Sequence, residues 1–263
     1  ADSLEQAYRQ VLAIAPDNSG ARLQLIQSRW ARKDFDGVIA LCKPAQQYNP
    51  DEVAFYYFSG LAHYQKKEED EALKDFRQGV SQINSGSNPE IVSDFYAIMG
   101  DILHAKGLRS EAYQAYDSCL QWKDDNIVCL NNYAYYLCED GRQLGKAEEM
   151  SRKAIDAEPQ NATYLDTFAW IVFLEERYAE AKTYIDKAMA VLDSTQNNGV
   201  ILEHAGDIYA MNGLLNEAVE YWREATRQGN KSVALAAKIK WRKYFTIEQV
   251  QQLWKRNTKR SGR

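Results

Sequence analysis

Proline and glycine are scarce in this chain. Five Pro and 14 Gly among 263 residues leave long stretches without a break and favour helices joined by short turns. The four cysteines, Cys42, Cys119, Cys129 and Cys138, form no CxxC pair, so spacing excludes a zinc ribbon or a thioredoxin-type motif. Cys129 and Cys138 are nine residues apart, on opposite faces of one helix, and read as small packing residues. No run approaches the roughly 18 apolar residues of a membrane-spanning helix. The opening ADSLEQAYRQ has neither a basic n-region nor an apolar h-region, so no targeting signal is visible, as would also hold for a processed or truncated chain.

Catalytic signatures are missing too. None of His63, His104 and His204 belongs to HExxH or has a second His or Cys at i+3 or i+4, so they read as surface or groove residues rather than metal ligands. There is no GxGxxG and no GxSxG, and GRQLGKAEE (141–149) has Lys-Ala where a phosphate loop needs Lys-Ser or Lys-Thr. Carboxylate pairs such as Glu148 and Glu149 fall on a solvated helix face. The expectation is a chain that is not an enzyme and holds no cofactor or metal.

What is present is a soluble composition, 45% apolar and 26% charged, with charge unevenly placed. From Lys231 to Arg263 ten Lys or Arg face one acid, Glu248. That segment carries about +9 and leaves about −14 for residues 1–230 out of a net −5. The body should repel nucleic acid, and the tail could attract acidic surfaces.

The main signal is internal repetition. LEQAYRQVLAIAPDN (4–18) recurs as VIALCKPAQQYNPDE (38–52), 34 residues on. It recurs again as ALKDFRQGVSQI (72–83), AYQAYDSCLQWKDDN (112–126), AEEMSRKAIDAEPQN (147–161), AKTYIDKAMAVL (181–192) and AVEYWREATRQGN (218–230). The extra residues of the longer spacings fall at NSGSNPE (84–90) and STQNNG (194–199), turn elongations rather than new elements. Each segment follows a second helical pattern, and Gly107, Gly141 and Gly213 fall where that first helix must end. The unit is helix A, a tight turn, helix B, and a turn often marked by Pro (Pro16, Pro50, Pro159).

This pattern resembles the tetratricopeptide repeat (TPR) family over residues 4 to 230. Gly60, Gly100, Ala134, Ala169 and Gly206 match its close-packing position on helix A. Ala72, Ala112, Ala147, Ala181 and Ala218 match helix B, with Phe76, Tyr116, Ile185 and Trp222 at its large position. The resemblance implies an all-α, right-handed α-solenoid. Residues 1–18 would be the lone helix B of an incomplete repeat. About six repeats follow (19–52, 53–90, 91–126, 127–161, 162–196, 197–230), and 231–263 forms basic capping helices and a tail. The repeat 19–52 departs most, with Ile26 for Gly, Val38 for Ala and Pro44 inside helix B, where a kink is expected. In the cap, Val233, Leu235, Ala236, Ile239 and Tyr244 are expected to cover the last repeat, with a break near Phe245-Thr246 and a frayed end.

The resemblance also places ligand contacts on the A helices. Carried over by position, the partner-binding set is Tyr57, Tyr64, Asp101, Asn131, Asn132, Tyr135, Asp166, Trp170, Phe173, Glu203 and Asp207. These are carboxylates, amides and aromatics with no Lys or Arg, so a clamp for a C-terminal carboxylate is not expected. A neutral or basic peptide or protein partner fits better, with Asn amides pairing its backbone and rings anchoring it. The function implied is a non-catalytic protein–protein interaction scaffold. The alternative is a structural adaptor docking on an acidic membrane or nucleic acid through the basic tail. The style of LNNYAYYL and ATYLDTFAWIVF is similar to bacterial TPR proteins, often envelope-associated, which favours an envelope location over the cytoplasm.

Overall fold

The computed structural model describes residues 2–261. Among them are fifteen α-helices and no strand. In order they are α1 (Asp2–Ile14), α2 (Ser19–Ala31), α3 (Phe35–Tyr48), α4 (Val53–Gln65), α5 (Glu69–Val80), α6 (Pro89–Ala105), α7 (Arg109–Trp122) and α8 (Ile127–Glu139). Then come α9 (Leu144–Ala157), α10 (Ala162–Leu174), α11 (Tyr178–Ala190), α12 (Gly199–Met211), α13 (Leu215–Arg227), α14 (Leu235–Trp241) and α15 (Ile247–Ser261). Two compact units divide the chain, residues 1–129 and 130–263. Each is an α-helical repeat stack.

Local chemistry sets the helix ends. Asn18 Oδ1 accepts from the Ala21 N–H at 2.9 Å and Asp34 Oδ1 from that of Gly37 at 2.9 Å. Asn161 Oδ1 does the same for Thr163 and Tyr164, each cap contributing about 1 kcal/mol. The tight turns close through one residue of positive φ. At the end of α12 it is Gly213 (φ +80°), where Gly213 N–H donates to Ala210 O and Leu214 N–H to Tyr209 O, both at 3.0 Å. This is the paired-bond stop that satisfies two of the helix's terminal carbonyls. Lys33, Lys67 and Glu176 take the same left-handed conformation, which the sequence pattern did not reveal because glycine is its usual marker.

Packing within each helix pair follows one spacing. A Cβ on Gly60 would lie 2.5 Å from the Phe76 ring, one on Gly100 2.4 Å from Tyr116, and one on Gly206 2.4 Å from Trp222. Each aromatic sits sixteen residues after its glycine, is fully buried, and occupies the space a side chain would need. Where helix A carries Ala169, the partner at that spacing is the smaller Ile185. In the first pair the sizes are exchanged: Ile26 and Cys42 are both 0% exposed within one core cluster. α3 runs on through Pro44, so the ring costs that helix one backbone bond without ending it.

The cap departs from expectation. Leu235 and Ile239 join the core of the last pair with Leu202, Ala218 and Trp222, but Val233 and Ala236 are exposed while Ala234 and Lys238 are buried. The buried face therefore runs 234, 235, 238, at helical spacing and one register away from the apolar letters alone. The break falls between Trp241 and Ile247, and the second helix extends to Ser261. Arg263 and the side chains of 257–261 lie outside the described residues.

Candidate functional site

The first unit holds three of the expected contact residues. The Tyr57 hydroxyl donates to Asp94 Oδ2 at 3.3 Å, and its ring leans on Phe58 and Phe95. Burial, then the Asp94 charge, holds that phenol well above its ordinary pKa. Asp101 Oδ1 accepts from the buried Tyr116 hydroxyl at 2.6 Å, so this carboxylate also orients a core ring. Tyr64 is half-buried, and burial, then the Asp101 charge, raises its pKa.

The second unit holds the other eight, and its side chains form a connected polar array. Trp170 is stacked between His204 (4.1 Å, 11°) and Phe173 (4.8 Å, 12°), and its indole N–H donates to Glu139 Oε1 at 2.7 Å. His204 Nδ1 lies 3.0 Å from Asp166 Oδ1. Burial works to lower the His204 pKa, but the Asp166 charge and hydrogen bond hold it above the ordinary value. Lys238, on the capping helix α14, donates at 2.7 Å to both Glu203 Oε1 and Asp207 Oδ2. Asp207 Oδ1 also accepts from the Trp222 indole at 2.9 Å. Burial pushes Asp207 up to about 6 despite the ammonium. Glu203 goes the other way: burial is outweighed by Lys238 and by hydrogen bonds from Ser232 and Asn230, so its pKa is lowered.

These pairings correct the expected openness of the site. Asp166, Glu203 and Asp207 are not bare carboxylates awaiting a basic ligand, because His204 and Lys238 of the same unit already balance them. Trp170, Phe173, Asp166, Asp207 and Asn131 are buried, and Tyr244 stands edge-on against Phe173 at 5.3 Å and 90°. Asn131 Nδ2 donates to Asn132 Oδ1 at 3.3 Å, turning the amide pair partly inward. His204, read as a surface or groove residue, is a buried member of the array. The absence of Lys and Arg from the A-helix positions holds, but the cap supplies the cation from 35 residues away.

A cavity of about 510 Å³ remains beside this array. Tyr135, Trp170, Glu203 and Asp207 of the expected set line it, together with Glu139, His204, Asn230, Ser232 and Lys238, and residues 244–248 form one wall. Tyr135 is half-buried, its phenol raised by burial and then by the Glu139 and Asp166 charges.

Solved structures align with this fold over most of the chain. A Pseudomonas aeruginosa PilF structure matches at TM-score 0.64 and 15% identity, covering 90% of this chain and 96% of that one. The TPR protein YrrB, described as having an unusual peptide-binding site, matches at TM-score 0.59 and 14% identity, covering 73% and 95%. The chain has the tetratricopeptide-repeat fold. The fold likeness extends to the APC/C hetero-tetramer Cut9–Hcn1, at TM-score 0.68 and 11% identity over 91% of this chain. There the chain spans only 45% of the matched one. No protein-family model matches the sequence, and no curated protein matches it.

The sequence places His204 on the groove side but misses Lys238 and Tyr244 as parts of this array. A signal did exist: Lys238 interrupts the apolar side of α14 one turn after Ala234 and Leu235, a position where a lysine needs a partner.

Proposed function

We propose that the protein is a non-catalytic protein–protein interaction scaffold whose second unit receives an extended segment of a partner in the cavity beside Trp170 and Lys238. One observation carries the reading: a cavity of about 510 Å³ on a TPR fold, walled by aromatic rings and by hydrogen-bonding side chains. Cavities of this kind bury a few side chains and fix orientation with a small number of polar groups. Tyr135 and Tyr244 offer ring surface, and Asn230 and Ser232 flank it with polar groups. YrrB, with its peptide-binding site, supports a peptide as the occupant's form.

The partner segment is neutral or basic. Lys238 is the single Lys or Arg in the lining, and two carboxylates already hold it. Glu139 and Glu248 add negative charge to the wall, so a carboxylate ligand would enter with nothing to neutralise it.

The test replaces Tyr135 by Ala and Glu139 by Lys together, and compares partner capture from the source cell with wild type by quantitative mass spectrometry. A protein enriched by wild type should be lost by the double variant. Equal enrichment by a double variant with a native circular-dichroism melt removes the cavity from the reading.

A further inference from the structure

We infer that the C-terminal helices α14 and α15, with the loop between them, form a surface that docks on an anionic lipid bilayer. The inference needs no occupant in the cavity, although Phe245 and Ile247 also line it, and rests on exposed apolar side chains interleaved with a local excess of positive charge. Trp241 is 61% exposed and Trp254 53%, with Ile247 and Leu253 also exposed. At 100° per residue, Ile247, Val250, Leu253 and Trp254 fall within a third of the α15 circumference, and Lys255 and Arg256 fall outside it. Val250, at the middle of that arc, is buried, while Ile247 and Leu253 at its two edges, and Trp254, remain exposed.

The cations stand beside the rings. Lys240 Nζ lies 5.2 Å from the Trp241 ring centre and Lys243 Nζ 5.9 Å from that of Phe245. Two hollows repeat the mixture. One is lined by Met211, Leu215 and Trp241 with Arg242 and Lys243. The other is lined by Phe245 and Leu253 with Lys243 and Arg256. An apolar floor with a basic rim matches a lipid, which offers acyl carbon and a phosphate together. Indole rings favour the boundary between the two.

Charge selects this end of the protein and this occupant. Residues 231–263 carry ten Lys or Arg against one acid; with Lys238 buried against Glu203 and Asp207, a local excess of about +8 is left for an anionic leaflet to attract. Residues 1–230 are acidic and would be repelled. Two copies meeting through this surface would bring like charges together. Nucleic acid would satisfy the cations but has no use for exposed Ile247, Leu253, Met211 and Leu215. No helix of the described residues is long and apolar enough to cross a membrane, so the contact is peripheral.

The test is co-sedimentation of the full chain with vesicles of phosphatidylglycerol and phosphatidylcholine in equal parts, against phosphatidylcholine alone. Trp241→Ala with Trp254→Ala is one variant, and Lys255→Glu with Arg256→Glu the other. Size-exclusion chromatography and binding to a labelled oligonucleotide run alongside, and circular dichroism checks each fold. Anionic vesicles should retain wild type and zwitterionic ones should not, and each double variant should lose roughly tenfold or more in affinity. No retention by anionic vesicles overturns the inference, as does retention that neither variant weakens. Loss in the charge variant alone reduces the surface to an electrostatic patch and removes the apolar docking. Oligonucleotide binding without vesicle binding assigns the surface to nucleic acid. A dimer that the Trp variant dissolves, without vesicle binding, assigns it to a second copy.

Discussion

The Lys238 ammonium lies 2.7 Å from Asp207 Oδ2 and 2.7 Å from Glu203 Oε1, with side chains of Lys238 and Asp207 4% and 2% exposed. One cation on the capping helix therefore bonds two carboxylates on α12 inside the second unit. Removing one member of a buried ion group leaves the other charges desolvated and unpaired. Lys238→Met should cost about 3 kcal/mol at pH 7, read as a lower urea midpoint. The loss should be smaller at pH 5, where Asp207 has taken up a proton and only Glu203 is stranded. An equal loss at both pH values would mean that Lys238 stabilises by packing its stem rather than by its charge.

The same array makes stability fall toward alkaline pH. Asp207 ionises at about 6 in the folded chain against an ordinary 3.8, so the folded state binds that proton more tightly than the unfolded one. Its contribution is complete below about 4 and is lost as pH rises through 6. His204 runs in the same direction: raised above 6.5, its contribution is complete below that value and lost as pH rises through the folded one. Glu203 is lowered below 4.5, so its contribution is present above 4.5 and lost on further acidification. Glu203 and Asp207 oppose each other only near pH 4 to 4.5, so the three groups together place the maximum there and stability declines at every higher pH. Urea titrations at pH 5.5 and 8 should show the higher midpoint at 5.5. In His204→Gln the profile above pH 6.5 should be flatter than in wild type, and an unchanged slope there would place the dependence elsewhere.

Two glycines of α12 and its turn separate packing from backbone strain. Gly206→Ala drives a methyl group against the fully buried Trp222 ring, and overpacking of this kind costs about 1–3 kcal/mol. Gly213→Ala meets nothing within 4 Å, but its φ of +80° disfavours any Cβ, at about 1 kcal/mol. Thermal unfolding should rank Gly206→Ala the more damaging. The reverse order would show that Trp222 has room to move.

Most of the helix-pair architecture was legible because it is local. The 34-residue recurrence, the glycine stops at 107, 141 and 213, and the small residues opposite Phe76, Tyr116 and Trp222 all lie within one repeat. Trp170, Phe173 and Asp166 were recognised as members of the site, yet their burial was not, since it depends on His204 and Tyr244 arriving from distant segments. Lys238 read as one charge in a solvated basic tail. Only the fold brings it to Glu203, 35 residues earlier in the chain, and composition carries no record of such a pairing.

The first helix pair gives a test of the spacing rule itself. Elsewhere a small residue on helix A faces a large one sixteen positions later, as in Gly60 and Phe76. Ile26 and Cys42 hold that spacing with the sizes exchanged, and both are fully buried in one cluster with Val38, Ala45 and Phe55. If the two positions share one volume, Ile26→Gly alone leaves a void and loses helix propensity, for about 3–5 kcal/mol together. Cys42→Phe alone overfills the site, for about 1–3 kcal/mol. The double variant restores the arrangement of the other pairs and should cost at least about 1 kcal/mol less than the sum, as measured by a double-mutant cycle in urea. Strict additivity would mean that Ile26 and Cys42 fill separate spaces, and that this pair departs from the repeat rule instead of inverting it.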